Sequence, residues 1–391
     1  MIHQFNESEK GPLDGVRVLD LSRLVAGNML TLFLADFGAD VIKIEKEGKG
    51  DDLRSWKESD EPIYWKIYGR NKRSMILDLK SEPGRQALKK LASHADILVE
   101  NFVPGGLEKM GLAPQVLHEA NPKLVIVRVS GWGQTGPFSH KPGFGTLVEA
   151  MSGFSYLNGH ADKPPTLPPL ALADMIAGVY GAAGVLTALR AAEKEGIGQV
   201  IDLSLFEPIF SFISSEALKF QLSGVPTMRS GNQSSHTAPR NVYECSDGKF
   251  VAMSGSMQSM ALRILDTIGR PELKEDKRFH DNDARVKHRD ELDLIIGDFI
   301  KQKTQQENLA LFEAAGVTVG PVCSVADLID SHYIRGREVM VQLEDDDLGC
   351  ITTHNIVPRL SRTPGNFYRA APSIGQHTKE IINQFGLENI L

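Results

Sequence analysis

The chain has 391 residues, 41% of them hydrophobic and 24% charged, with 36 glycines and a formal net charge of -7. That length fits two or three domains, and the acid excess excludes a general nucleic-acid-binding surface while leaving room for a local anion pocket. Three scattered cysteines (Cys245, Cys323 and Cys350) offer neither a disulfide framework nor a Cys/His metal spacing. The opening MIHQFNESEK lacks an apolar leader core, and no uninterrupted apolar run approaches membrane length. A cytoplasmic enzyme with no membrane or nucleic-acid partner is therefore expected.

In chain order, VRVLDL at residues 16–21 reads as a buried strand, 24–37 as a helix closed by Gly38, and DVIKIE at 40–45 as a second strand. A third strand is expected over 73–79, a helix over 82–92, and strands at 96–99 and 124–129. Short apolar strands separated by helices imply a parallel sheet covered on both faces, Rossmann-like in outline. A long Ala- and Gly-rich helix follows at 173–192, stopped by Gly196 and Gly198, and then a strand at 200–205. The polar, irregular stretch around 224–239 suggests a boundary. Beyond it, strands at 241–243 and 250–253 and helices at 258–268, 290–301 and 304–315 read as a smaller α+β unit. Residues past 331 look irregular, with a charged turn at 344–349 and a last helix at 378–385. The expected division is 1–224 for the first part of the large domain, 225–330 for the small α+β domain, and 331–391 for a segment returning to the large one.

The first strand is followed by SRLVAGNM rather than G-x-G-x-x-G, so the turn that seats a pyrophosphate on a helix N-terminus is missing. A nicotinamide enzyme is not expected. SGWGQTGP at 130–137 directly follows a strand; Gly131 and Gly133 could bring backbone close to a ligand, or simply form a packed turn. Arg23, Arg70, Lys72 and Arg73 could hold phosphates, or could be solvated surface charges. Asp174 is the sole acid between Lys163 and Ala192. It could cap a helix, or act as a carboxylate nucleophile beside small residues that admit a substrate. No G-x-S-x-G elbow and no HExxH is present, and the histidines share no metal-like spacing.

Several ordered segments resemble the class III CoA-transferase (CaiB/BaiF) family. They are LDGVRVLDLSRLVAGNMLTLFLADFGADVIKIE at 13–45, NKRSMILDLK at 71–80 and ILVENFVPGGLEKMGL at 97–112. VSGWGQTGPFSHKPGFGTLVEAMSG at 129–153, LALADMIAGVYGAAGVLTAL at 170–189, GQVIDLSLFEPIF at 198–210 and APSIGQHTKEII near the end follow in order. The resemblance implies a Rossmann-like large domain, a small α+β domain and an obligate homodimer of interlocked rings. It makes Asp174 the catalytic aspartate and places Arg23, Lys72, Asn101 and Phe102 in the CoA region. No permanently bound cofactor is implied; coenzyme A esters and free carboxylic acids are the substrates. The implied chemistry passes CoA from a donor such as succinyl-CoA through an aspartyl anhydride and an aspartyl-CoA thioester.

Two departures from the family pattern narrow this expectation. Gly145 stands where members often carry an acid, and MSGSMQ at 253–258 replaces a more glycine-rich loop, which argues against a formyl/oxalate acid pair. A rival within the superfamily, a 2-methylacyl-CoA racemase, would need a histidine where this chain has Phe144. A binding or scaffold protein without catalysis is the remaining alternative. Arg240 is a candidate partner for a substrate carboxylate, or a structural residue.

Overall fold

The computed structural model describes residues 2–391. The chain divides into two compact units, one of residues 2–154, 167–221 and 337–391, the other of residues 155–166 and 222–336. The segment 155–166, expected within the large domain, groups with the second unit because its backbone is tied there. Gly231 N–H donates to Gly159 O at 2.8 Å, and Arg229 donates to the carbonyls of Tyr156, His160 and Lys163.

The first unit is built on six parallel strands: β1 (Arg17–Asp20), β2 (Asp40–Glu45), β3 (Lys72–Ile76), β4 (Ile97–Glu100), β5 (Val125–Ser130) and β6 (Val200–Ser204). Their order across the sheet is β3-β2-β1-β4-β5-β6. Successive side chains alternate between the faces. Val18, Val41, Ile97 and Val125 enter the core under α1 (Ala26–Asp36). Leu19, Ile42, Leu98 and Ile126 enter the opposite core, under α2 (Glu82–Ala92). Both faces are thus buried, which is why the strands read as near-continuous apolar runs.

Two further helices shape the first face, α3 (Gly145–Met151) and α4 (Leu172–Glu195). α4 has the length and apolarity of a membrane span, with a mean hydropathy of 1.6 over its most apolar window, but it packs along α1 and the sheet. Its glycines explain the closeness: a Cβ on Gly178 would stand 2.7 Å from Met29 Cβ, and one on Gly181 2.5 Å from Leu30 Cδ1.

The second unit holds an antiparallel sheet of β7 (Arg240–Glu244), β8 (Phe250–Ser254) and β9 (Val319–Pro321), in the order β9-β8-β7. Helices α5 (Gln258–Thr267), α6 (Arg289–Ile300) and α7 (Gln305–Ala314) contribute to its core around Val251, Ile264, Phe279, Ile296 and Phe312. In the C-terminal return, the stretch expected to be irregular is a hairpin of β10 (Met340–Asp345) and β11 (Gly349–His354), with Ile2–His3 added in parallel at its edge. The last helix, α8 (Thr378–Phe385), buries Ile381 and Phe385 in the same core as α2.

Candidate active site

The strand order reverses between β1 and β4, and the crevice beyond such a reversal is where open α/β sheets bind ligands. The chain leaving β1 reaches Arg23; the chain leaving β4 reaches Asn101 and Phe102. Asn101 Oδ1 accepts from Arg23 N–H at 3.0 Å, and Asn101 Nδ2 donates to Arg23 O at 2.7 Å. This reciprocal pair ties the two strand ends together. The Arg23 side chain is partly exposed, 3.4 Å from Asp52, and its Nε has no hydrogen-bond partner among the described residues. Phe102 is half-buried and Val103 beside it is exposed. Three residues expected at a CoA ester therefore lie together at the switch point.

The other cations expected there do not. Lys72 is fully buried beneath the crevice, its ammonium 2.8 Å from Asn28 Oδ1 and 3.3 Å from Asp20 Oδ2. It belongs to a closed network in which Lys43 pairs with Asp20 at 3.1 Å and Asp51 at 2.8 Å. Burial alone would raise the Asp20 carboxyl, but Lys43, Lys72 and the Ser22 and Thr31 hydroxyls outweigh it and hold the group at about 2. Burial lowers Lys72 to about 8 despite Asp20. The network fixes the turn after β1: Asp20 accepts from Ser22 N–H, and Asp51 accepts from Leu24 N–H and Asn28 Nδ2. Lys72 thus shapes the crevice from below rather than offering its charge to a ligand.

Arg73 is also withdrawn. It sits where β3 begins, at the end of the sheet away from the crevice, paired with Asp40 and Glu380. Gly131 and Gly133 take the packed-turn role. A Cβ on Gly131 would stand 2.6 Å from Gly143 Cα. Gly133, at φ 91°, donates to Ser130 Oγ, and the next amide donates to Asp202. Arg240 is exposed and donates to the Asn232 and Gln233 carbonyls at 3.3 Å.

Asp174 lies in the first turn of α4, partly accessible. It is not the N-cap: Ala171 holds that position and makes no side-chain cap bond. Burial, then the negative charge of Glu149, pushes its carboxyl up to about 6, partly offset by the backbone amides of Asp174 itself and of Ala26. Ala26 is the first residue of α1. α3 also begins at this point: a Cβ on Gly145 would stand 2.2 Å from Asp174 Oδ2. Three helix N-termini therefore meet around one carboxylate. Free backbone donors at such termini favour negative charge and can stabilise an oxyanion developing on an acyl carbonyl.

Two participants escaped the sequence reading. Glu149 accepts from Ala173 N–H at 3.1 Å and is 3% exposed. Its signal is a single acid in the apolar run GTLVEAM, four residues after Gly145. The Ala26 amide carries no sequence signal, because any non-proline residue supplies one.

Comparison with known proteins identifies the family. The pattern of CoA-transferase family III matches residues 13–378. The chain is 38% identical to succinyl-CoA–D-citramalate CoA-transferase of Chloroflexus aurantiacus, over 95% of this chain and 93% of that one. It is 32% identical to succinate–glutarate CoA-transferase of Agrobacterium fabrum, over 96% of each. The structure of a CaiB/BaiF family protein from Brucella suis superposes with a TM-score of 0.85 at 30% identity, covering 96% of this chain and all of the other. With a match of that extent, the chain belongs to CoA-transferase family III.

Proposed function

We propose that this CoA-transferase moves CoA from succinyl-CoA to a small free dicarboxylic acid, with Asp174 as the covalent nucleophile. The observation that carries the reading is the partly accessible Asp174 carboxylate at the meeting of three helix N-termini. With its carboxyl raised to about 6, Asp174 is ionised at neutral pH yet more basic than an ordinary aspartate. That is the state a carboxylate nucleophile needs. The donor and acceptor classes follow from relatives whose substrates are succinyl-CoA with citramalate or malate, and glutarate with succinate or succinyl-CoA.

In this mechanism Asp174 attacks the donor thioester, giving a mixed anhydride and a CoA thiolate. The thiolate returns to the aspartyl carbonyl, releasing succinate and leaving an aspartyl-CoA thioester. The acceptor carboxylate then attacks the aspartyl carbonyl, and the thiolate collects the acceptor acyl group. Arg23, Asn101 and Phe102 hold the CoA portion at the switch point. Phe144 is exposed and Gly145 has no side chain, so neither supplies the second proton-transfer group a racemase would require.

The enzyme works as a homodimer. Supporting this, Tyr180 of α4 and Phe212 are both exposed with their rings 6.0 Å apart, and Val179 is exposed beside Tyr180 in sequence. Leu147, Met151, Leu218 and Phe220 are exposed as well. Apolar exposure on this scale marks an interaction surface. The test of function is a screen of succinyl-CoA and other CoA esters against a panel of carboxylic acids, read by mass. Succinyl-CoA with a dicarboxylate of the size of malate, citramalate or glutarate is expected to give the highest rate. Activity confined to monocarboxylates would overturn the substrate assignment.

A further inference from the structure

α3 presents two residues, one turn apart, to the start of α4. Gly145 leaves room for the Asp174 carboxylate, since a Cβ there would stand 2.2 Å from Oδ2. Glu149, four positions on, accepts from Ala173 N–H at 3.1 Å. Residues four apart share a helix face, so the helix that makes space for one carboxylate delivers a second beside it. α4 needs the acceptor, because its N-cap Ala171 provides no side-chain bond. A cap alone does not require a charge, however, for glutamine would accept the same bond. An anion beside Asp174 disfavours ionisation of that group, so its presence calls for a further reason.

We propose that Glu149 is a positioning residue whose negative charge favours acylation of Asp174, a role that rests on the reading of Asp174 as nucleophile. Before reaction, two carboxylates crowd the first turn of α4. In the acylation step an Asp174 oxygen bonds to the thioester carbonyl carbon, the C–S bond breaks, and the electron pair leaves on the CoA sulfur. The aspartyl anhydride is neutral, and the charge has moved to the thiolate. Repulsion between Glu149 and Asp174 is present before the step and gone after it, so it favours the forward direction. The bond to Ala173 meanwhile holds the residue preceding the nucleophile. Of the other elements packed against α3, the helix Phe206–Phe212 carries one ionisable group, Glu207, whose carboxylate accepts from Ser204 Oγ at 2.6 Å. The first turn of α1 contains Ala26, Gly27, Asn28 and Met29, none ionisable, and α4 has no second acid in its first turn.

The test separates charge from capping by three substitutions. Glu149→Gln keeps an acceptor and loses the charge; Glu149→Asp keeps the charge on a shorter arm; Glu149→Leu loses both. Each variant and the wild type are mixed rapidly with succinyl-CoA without acceptor, and the succinate released in the first turnover is followed by rapid quench across the acidic and neutral range, alongside thermal melts. For Glu149→Gln the acid limb of succinate release is expected to move to lower pH, with a rate about tenfold lower at neutral pH, the equivalent of one pKa unit of lost repulsion. Its melting temperature should stay near wild type. Glu149→Asp should keep the wild-type acid limb even where its stability falls. An acid limb that tracks stability rather than charge across the variants would overturn the proposal and leave Glu149 as a cap. A wild type that releases no succinate in the first turnover would overturn the nucleophile reading and this proposal together, whereas an unmoved Glu149→Gln profile beside a normal wild-type burst sinks the proposal alone.

Discussion

Asp174 is held in a state that disfavours the folded protein at neutral pH. Its carboxyl stands at about 6 against an ordinary 3.8, so the folded chain binds that proton more tightly than the unfolded one. The favourable contribution is complete below the ordinary value and is lost as pH rises through about 6. The whole change between those limits is up to ~3 kcal/mol. Asp174→Asn is therefore expected to melt at a higher temperature than wild type at about pH 8, the gain fading as pH falls toward 4. A variant less stable at alkaline pH would show that the carboxylate serves as a structural cap. Gly145→Ala is expected to lose most activity, because the new methyl occupies the place of Asp174 Oδ2 and misplacement at a reacting centre is costly; steady-state kinetics beside thermal melts would check it. Asp174 was legible in the sequence because an isolated acid in an Ala- and Gly-rich run is conspicuous. Lys72 and Arg73 misled because a charge at the start of a strand looks the same in sequence whether it faces a ligand, a buried carboxylate or the far edge of the sheet.

At the scale of elements, the strands and long helices of the parallel sheet were legible to within a few residues, since short apolar runs alternate with longer helical stretches bounded by turn residues. The order in which the strands lie was not, because it depends on crossovers that leave no local mark. The β10–β11 hairpin was hidden by its acidic turn, although Val341 and Leu343 alternate inward past Gln342 and Glu344. α3 was missed because its seven residues supply too few turns to show a period. The buried network joining β1, β2, β3 and α1 links the sheet to the crevice. Lys43 carries most of that linkage, being paired with both Asp20 and Asp51. Lys43→Met would leave two buried carboxylates short of a partner and is expected to cost about 3–5 kcal/mol, measured by urea denaturation. A loss below about 1 kcal/mol would mean that water replaces the ammonium.

At the scale of the whole molecule, an exposed apolar face around Tyr180, Phe212 and Phe220 fits a partner subunit. For the proposed interlocked dimer, whose rings could not part without a chain opening, light scattering is expected to give twice the 42.9 kDa chain mass, unchanged on dilution. A folded species at the single-chain mass would contradict the dimer. In the proposed mechanism such an assembly would serve the chemistry by sheltering a water-sensitive anhydride. The chemistry itself has one direct test. Wild type and Asp174→Asn are each mixed with succinyl-CoA in the presence of hydroxylamine, and the intact chain and its peptides are weighed. The account predicts that wild type alone acquires a hydroxamate, on the peptide containing Asp174, and that Asp174→Asn, free of deamidated material, transfers no CoA. A modified peptide elsewhere, or an Asp174→Asn variant that turns over near the wild-type rate with no modification, would contradict it.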